Sequence, residues 1–144
     1  MAKAALHDAA AETDTLLIRA EDATPDDLLA ADGYIFVAPE NLASLSGEMK
    51  AFFDRCYYPL LGQIEGRPYG AMICAGSDGE GAARQMTRIA TGWRLKPVAE
   101  PLIVVTGAQS PEAIAAPKVI PEADLARCSE LGTLMGAGLA MGVF

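Results

Sequence analysis

The sequence predicts an α/β fold built on a parallel sheet. Three observations lead there. Short β-like runs alternate with helical patterns along the whole chain. The runs are continuously apolar, as in GYIFV (33–37) and RPYGAMIC (67–74), so both sheet faces are covered. The intervening segments carry helix-start signals and apolar positions at helical spacing. Parallel strands need right-handed crossovers, which puts helices on both sides of the sheet.

The elements follow in order. Residues 2–11 are Ala-rich and read as a helix, and residues 15–18 (TLLI) read as a strand. Thr24-Pro25-Asp26-Asp27 starts a short helix to about Ala31: Thr caps, Pro takes the first helical position, and acids fill the first turn. Residues 33–37 form a buried strand. Ser46-Gly47-Glu48 opens a helix whose Met49, Phe52, Phe53 and Cys56 share one face. Residues 67–74 are the next strand. A helix over 81–91 puts Ala82, Met86, Ile89, Ala90 and Trp93 on one side. Residues 101–106 (PLIVVT) are the last strand, and the last helix runs from Asp124 to about Met141.

Composition narrows the function. The 144 residues suit one domain, 1–144, and a 51% hydrophobic content supports a core. Eleven basic residues against 19 acidic ones give a net charge of −8. That balance argues against nucleic acid or an anionic membrane as partner. Cys56, Cys74 and Cys128 are odd in number and far apart, as expected of reduced core thiols in a cytoplasmic protein. The single histidine, His7, lies in the Ala-rich helix without a catalytic or metal-ligand neighbour. No metal site and no histidine-based catalysis are expected. The N-terminus has no apolar signal-peptide core. Residues 131–144 are apolar but shorter than the roughly 20 needed to span a bilayer. Their Gly132-x-x-x-Gly136 and Gly138-x-x-x-Gly142 spacings suit a helix lying close on a sheet, or a helix dimer.

Ligands of open α/β sheets bind beyond the carboxyl ends of the strands. The loops of interest therefore follow Val37, Cys74 and Thr106. The first, residues 38–47, is long for a βα loop of about 2–6 residues. Its small residues let the backbone approach a flat ring, and Asn41 and Ser44 offer hydrogen bonds. A solvated loop ending in a helix cap is the alternative. The second, residues 75–81, has Gly76, Gly79 and Gly81 before a helix N-terminus. Asp78 and Glu80 would repel a phosphate there, so it reads as a ring- or ribityl-contacting loop; an ordinary turn is the alternative. Arg84 and Arg88 lie one turn apart and suit a phosphate or a solvated helix face. Tyr57 and Tyr58 suit a quinone-sized pocket, an oligomer contact or plain packing. Trp93 reads as a core anchor.

PENLASLSGEMKAFFDR (39–55) resembles the loop and helix of the flavodoxin-like NAD(P)H-dependent oxidoreductases and FMN reductases. The tryptophan-repressor-binding-protein type of quinone reductase is one of these. Ala43-Ser44-Leu45 stand where that type has Gly-Asn-Met. Residues 75–81 resemble a further flavin loop of the family, and the order of elements matches over most of the chain. The resemblance implies a flavodoxin-like three-layer sandwich with FMN as cofactor. Pro39, Glu40, Asn41, Leu42, Ala43, Ser44 and Leu45 would border the isoalloxazine ring. Ala75, Gly76, Ser77, Gly79 and Gly81 would cover its other side. NAD(P)H would be the co-substrate, and a quinone or similar small molecule the acceptor, with a homo-oligomer as the assembly. No dedicated acid or base is required, because the hard chemistry belongs to the flavin.

One departure stands out. Family members begin with a strand and a Ser/Thr/Gly-rich phosphate loop, whereas this sequence is expected to begin inside the first helix. In the family's 2-1-3-4-5 strand order the first strand is central. The sheet is then expected to close as four strands, recruit a strand from a partner, or hold flavin weakly. Two other functions stay open: a flavodoxin-type electron carrier, and a non-catalytic protein of this fold without flavin.

Overall fold

The computed structural model describes residues 1–144. The helices are α1 (Ala2–Ala9), α2 (Pro25–Ala30), α3 (Gly47–Leu60), α4 (Glu80–Gly92), α5 (Pro111–Ala115) and α6 (Glu122–Ala140). The strands are β1 (Tyr34–Asn41), β2 (Ser44–Leu45), β3 (Pro68–Ala75), β4 (Lys96–Pro97) and β5 (Leu102–Val105). β3 is central. β1 runs parallel to it from Tyr34 opposite Tyr69 to Pro39 opposite Cys74. β5 pairs in parallel with the other side, from Met72 opposite Leu102 to Ala75 opposite Val105. β4 continues that side at Pro68 and Tyr69. The short β2 folds back antiparallel onto the end of β1.

Helices cover both faces, and the result is a flavodoxin-like three-layer arrangement. Tyr34, Phe36, Ala38, Tyr69, Ala71 and Ile73 face α3 and α4. There Phe36, Phe53 and Trp93 interlock edge to face, with Phe53 centred 5.1 Å from Phe36 and 5.2 Å from Trp93. Trp93 is the anchor its sequence context suggested. Met72, Leu102 and Val104 face α1 and α6 through Ala5, Cys128 and Leu131. Gly70 makes that approach close: a Cβ there would stand 3.1 Å from a Leu131 methyl.

Local signals explain most boundaries. Thr24 and Asp27 form a reciprocal capping box with Pro25 in the first turn of α2. Arg67 closes the other end of α2, donating from Nη1 to Leu28 O (2.6 Å), Leu29 O (3.1 Å) and Ala31 O (2.5 Å). A cation there offsets the carbonyl end of the helix dipole. Burial pushes the Tyr34 hydroxyl above its usual pKa against the opposing effect of Arg67, while it donates to Leu28 O at 2.7 Å.

Residues 15–18 are not a strand. They lie outside any helix or strand, with Leu16 78%, Leu17 50% and Ile18 38% exposed. The apolar composition suits a strand, but a strand exists only with a hydrogen-bonded neighbour. β1 takes β3 along one edge, and nothing pairs its other edge from Tyr34 to Pro39. Of the alternatives the sequence left open, a four-strand closure that includes this segment does not form. Other boundaries shift by a few residues, and β1 extends four residues past the expected Val37.

The glycines of α6 make an intramolecular contact. A Cβ on Gly132 would stand 2.1 Å from Ala5 O, and one on Gly136 2.9 Å from Ala9 O. α6 thus lies against the backbone of α1. Gly132→Ala should cost about 1–3 kcal/mol, because helix backbone is what must yield. The urea midpoint reads this directly, and an unchanged midpoint would mean that α1 does not rest there.

Candidate functional site

The sheet's carboxyl end gathers three segments. β1 does not enter a long loop there. It runs on to Asn41 and turns into β2 through Leu42 and Ala43, with Glu40 opposite Leu45 and Asn41 opposite Ser44. Leu42 and Ala43 have φ of 52° and 59°. Positive φ at both central residues marks a two-residue hairpin of the type that matches strand twist, one usually built from Asn-Gly. Leu42 is fully exposed at the tip.

The glycine-rich loop meets this hairpin. A Cβ on Gly81 would stand 2.2 Å from Ala43 O, so only glycine admits the hairpin tip over the first turn of α4. Gly79 has φ 91° and sits against Ile103 and Ala75, where a Cβ would come within 2.5 Å of the Ile103 side chain. Gly76 faces the third segment: its Cβ would stand 2.8 Å from Ala108 O. Thr106 secures that segment, donating from its amide (2.8 Å) and hydroxyl (3.1 Å) to Ala75 O. Residues 39–45 and 75–81 are thus together, and Thr106 and Ala108 join them. Ser77 is exposed at the rim.

The electrostatics of the cluster are mixed. Gly79 gives α4 no side-chain cap, and the first helical bond there runs from Ala83 N to Gly79 O. The amides of Glu80, Gly81 and the fully buried Ala82 are therefore donors without a protein acceptor at the positive end of a helix. Around them stand three carboxylates, Glu40, Asp78 and Glu80. Glu40 Oε2 is buried beside Gly79 and makes no hydrogen bond. Donors beside carboxylates suit a neutral polar ring with carbonyl acceptors and disfavour a phosphate.

Ser44 is already engaged. Its hydroxyl donates to Gln85 Oε1 at 2.7 Å, and the Leu45 amide donates to the same oxygen at 2.8 Å. Gln85 carried no signal in the sequence, since its partners lie 40 and 41 residues away. Arg84 and Arg88 are exposed, with Arg84 4.0 Å from Glu80. His7 is exposed on α1, with its side chain 88% accessible. Cys56 and Cys128 are buried and Cys74 half-buried, all three free, and burial raises each thiol pKa. None is poised as a thiolate.

A concavity of about 190 Å³ lies elsewhere, between α3 and the end of α4 near Tyr57 and Trp93. Its walls are two helix flanks with Lys50 and Asp54 among them, and no open helix N-terminus faces it. The backbone donors and the close glycine approaches make the sheet's carboxyl end the candidate site.

Residues 7–109 match the sequence profile of a family described as NADPH-dependent FMN reductase, a span that includes both loops. This chain belongs to the NADPH-dependent FMN reductase family. Flavin binding and redox chemistry are what the family's description carries. A flavodoxin of Aquifex aeolicus is 36% identical over 69 residues, which span 48% of this chain and 37% of that protein. Among solved structures, a flavodoxin from the domain Archaea superposes with a TM-score of 0.75 at 16% identity, over 96% of this chain and 87% of the other. The flavodoxin, WrbA-like protein from Agrobacterium tumefaciens gives 0.71 at 17%, over 98% and 87%. These two likenesses concern the fold.

The FMN reductase family implies FMN, and the residues at the carboxyl end fit its ring. The open α4 amides match ring carbonyls. Gly76, Gly79 and Gly81 keep the surrounding backbone close, and the orphaned Glu40 oxygen marks a polar environment without a protein partner. No helix of the chain is long and apolar enough to cross a membrane.

Proposed function

We propose that this chain is an FMN-dependent oxidoreductase that passes electrons from NAD(P)H to a quinone or a similar small acceptor. One observation carries the reading: the β1–β2 hairpin and the glycine-rich loop converge on the uncapped first turn of α4. Pro39, Glu40, Asn41, Leu42, Ala43, Ser44 and Leu45 would border the ring on one side. Ala75, Gly76, Ser77, Gly79 and Gly81 would border it on the other. FMN, when bound, supplies hydride acceptance and electron donation. The chain supplies orientation and field. Open amides at α4 favour negative charge on the ring, and Glu40, Asp78 and Glu80 oppose it. NAD(P)H, one proton from solvent and a quinone give NAD(P)⁺ and a hydroquinone, two electrons in all. The setting that suits three free thiols is the cytoplasm.

The test is nicotinamide oxidation by the FMN-loaded chain. Steady loss of absorbance that requires quinone supports the reading. A loaded chain that dithionite reduces but that turns over neither NADH nor NADPH would overturn it. A flavodoxin-type electron carrier would then stand. The −8 net charge favours that second reading, since an acidic surface suits docking to a redox partner. Tyr58, 79% exposed, and Leu61, 59% exposed, project beside Tyr57 at the end of α3. They support a homo-oligomer, which a light-scattering mass of one chain would contradict.

A further inference from the structure

We propose that Gln85 is the positioning residue of the ring site, a latch that holds the β1–β2 hairpin against α4 despite the unfavourable turn at its tip. The hairpin has little to hold it by itself. Its ladder is two residue pairs, Glu40 with Leu45 and Asn41 with Ser44. Such a short ribbon is unstable alone. Its turn is built from Leu42 and Ala43, both at positive φ, where a Cβ crowds the backbone. The usual Asn-Gly pair would relieve that crowding.

Gln85 supplies what the ladder lacks. Its Oε1 accepts from the Leu45 amide and from the Ser44 hydroxyl. The amide N–H can only donate, so it fixes the oxygen of the Gln85 side chain toward the hairpin. Gly81 lies one helical turn before Gln85 on the same face of α4. It receives the hairpin tip at Ala43 O. The hairpin therefore rests on one stripe of α4, touching at Gly81 and bonded at Gln85. This makes the hairpin and the open α4 amides one rigid body. Their spacing, which a flat ring would have to match, is set by a side chain that need not touch the ring. Leu42 stays free at the rim. The ring part of the inference rests on the flavin reading above; the latch itself does not.

The experiment compares Gln85→Leu, which keeps the side-chain bulk and loses the acceptor, with Gln85→Glu, which keeps an acceptor. Amide hydrogen exchange on the flavin-free chain reads the latch. In Gln85→Leu the Leu45 amide should exchange about 10-fold faster or more, as expected for losing one hydrogen bond. The core amides of Phe36 and Ile73 should stay as protected as before. Gln85→Glu should keep Leu45 protected. FMN titration reads the consequence: Gln85→Leu should bind about 10-fold more weakly, and Ala43→Gly added to it should recover part of the loss by relieving the turn. Unchanged exchange at Leu45 in Gln85→Leu would overturn the latch. So would equal loss of protection across the core, or a Gln85→Glu variant as exposed as Gln85→Leu. A parent chain that binds no FMN, with the Leu45 result as expected, would remove the flavin reading and leave the latch standing. Equal FMN affinity in the parent and Gln85→Leu would overturn its positioning role.

Discussion

Gly81→Ala should displace the hairpin and weaken FMN binding by about 10-fold or more, while the aromatic core stays packed. The added methyl would stand 2.2 Å from Ala43 O and 2.9 Å from Ala43 C, both backbone atoms. Neither side has a flexible end to move, so the hairpin or the first turn of α4 must shift. Alanine also favours helix over glycine by about 1 kcal/mol, which offsets part of any loss in stability. The variant should therefore separate binding from folding. Gly92→Ala is its control. It lies in the same helix with nothing within 4 Å of the new Cβ. It should raise stability by about 0.5–1 kcal/mol and leave FMN affinity unchanged. Titration by flavin fluorescence, beside urea unfolding, checks both. Equal affinities in the two variants would mean that the ring does not depend on the contact between Gly81 and the hairpin.

Phe53→Ala should give the largest loss of stability. Phe53 is 2% exposed and packs within 5.2 Å, ring centre to ring centre, of Phe36, Phe52 and Trp93. Emptying such a site costs about 3–5 kcal/mol, from transfer and from the cavity left behind. A domain of this kind holds about 5–15 kcal/mol in total. The urea midpoint should fall steeply and the near-ultraviolet signal of Trp93 should weaken. A change below about 1 kcal/mol would mean that the α3–α4 layer carries much less of the fold than its packing implies.

The fold was legible where the signal is local or follows burial. Continuous apolar runs marked β1, β3 and β5, because a strand covered on both faces has no polar side. Thr24-Pro25 and Ser46 marked helix starts by their own hydrogen bonds, Thr24 accepting from the Asp27 amide and Ser46 from the Met49 amide. What failed depended on neighbours. Residues 15–18 have strand composition, yet no strand lies beside them. The Leu42–Ala43 turn has neither Asn nor Gly at its centre, so its residues give no hairpin signal. Lys96–Pro97 is too short to register as a strand.

The site was legible at the level of loops and illegible at the level of side chains. The rule that ligands bind beyond the carboxyl ends of parallel strands selected all three segments that converge. Glycine spacing marked 76, 79 and 81, and the close approaches at these positions explain it. Ser44 looked like a ligand donor because it is a small hydroxyl in such a loop. In the fold its hydroxyl is given to Gln85, whose importance comes from a contact across 41 residues. Glu40 was expected to border the ring from a long loop; β1 instead extends through it and buries one of its oxygens.

The most direct test of the central claim is an FMN titration of the 144-residue chain, following the quenching of flavin fluorescence. A site made by the β1–β2 hairpin, the glycine-rich loop and the open amides of α4 predicts saturation at one FMN per chain with micromolar or tighter affinity. A chain that unfolds cooperatively in urea, and is therefore folded, yet leaves flavin fluorescence unquenched would contradict it.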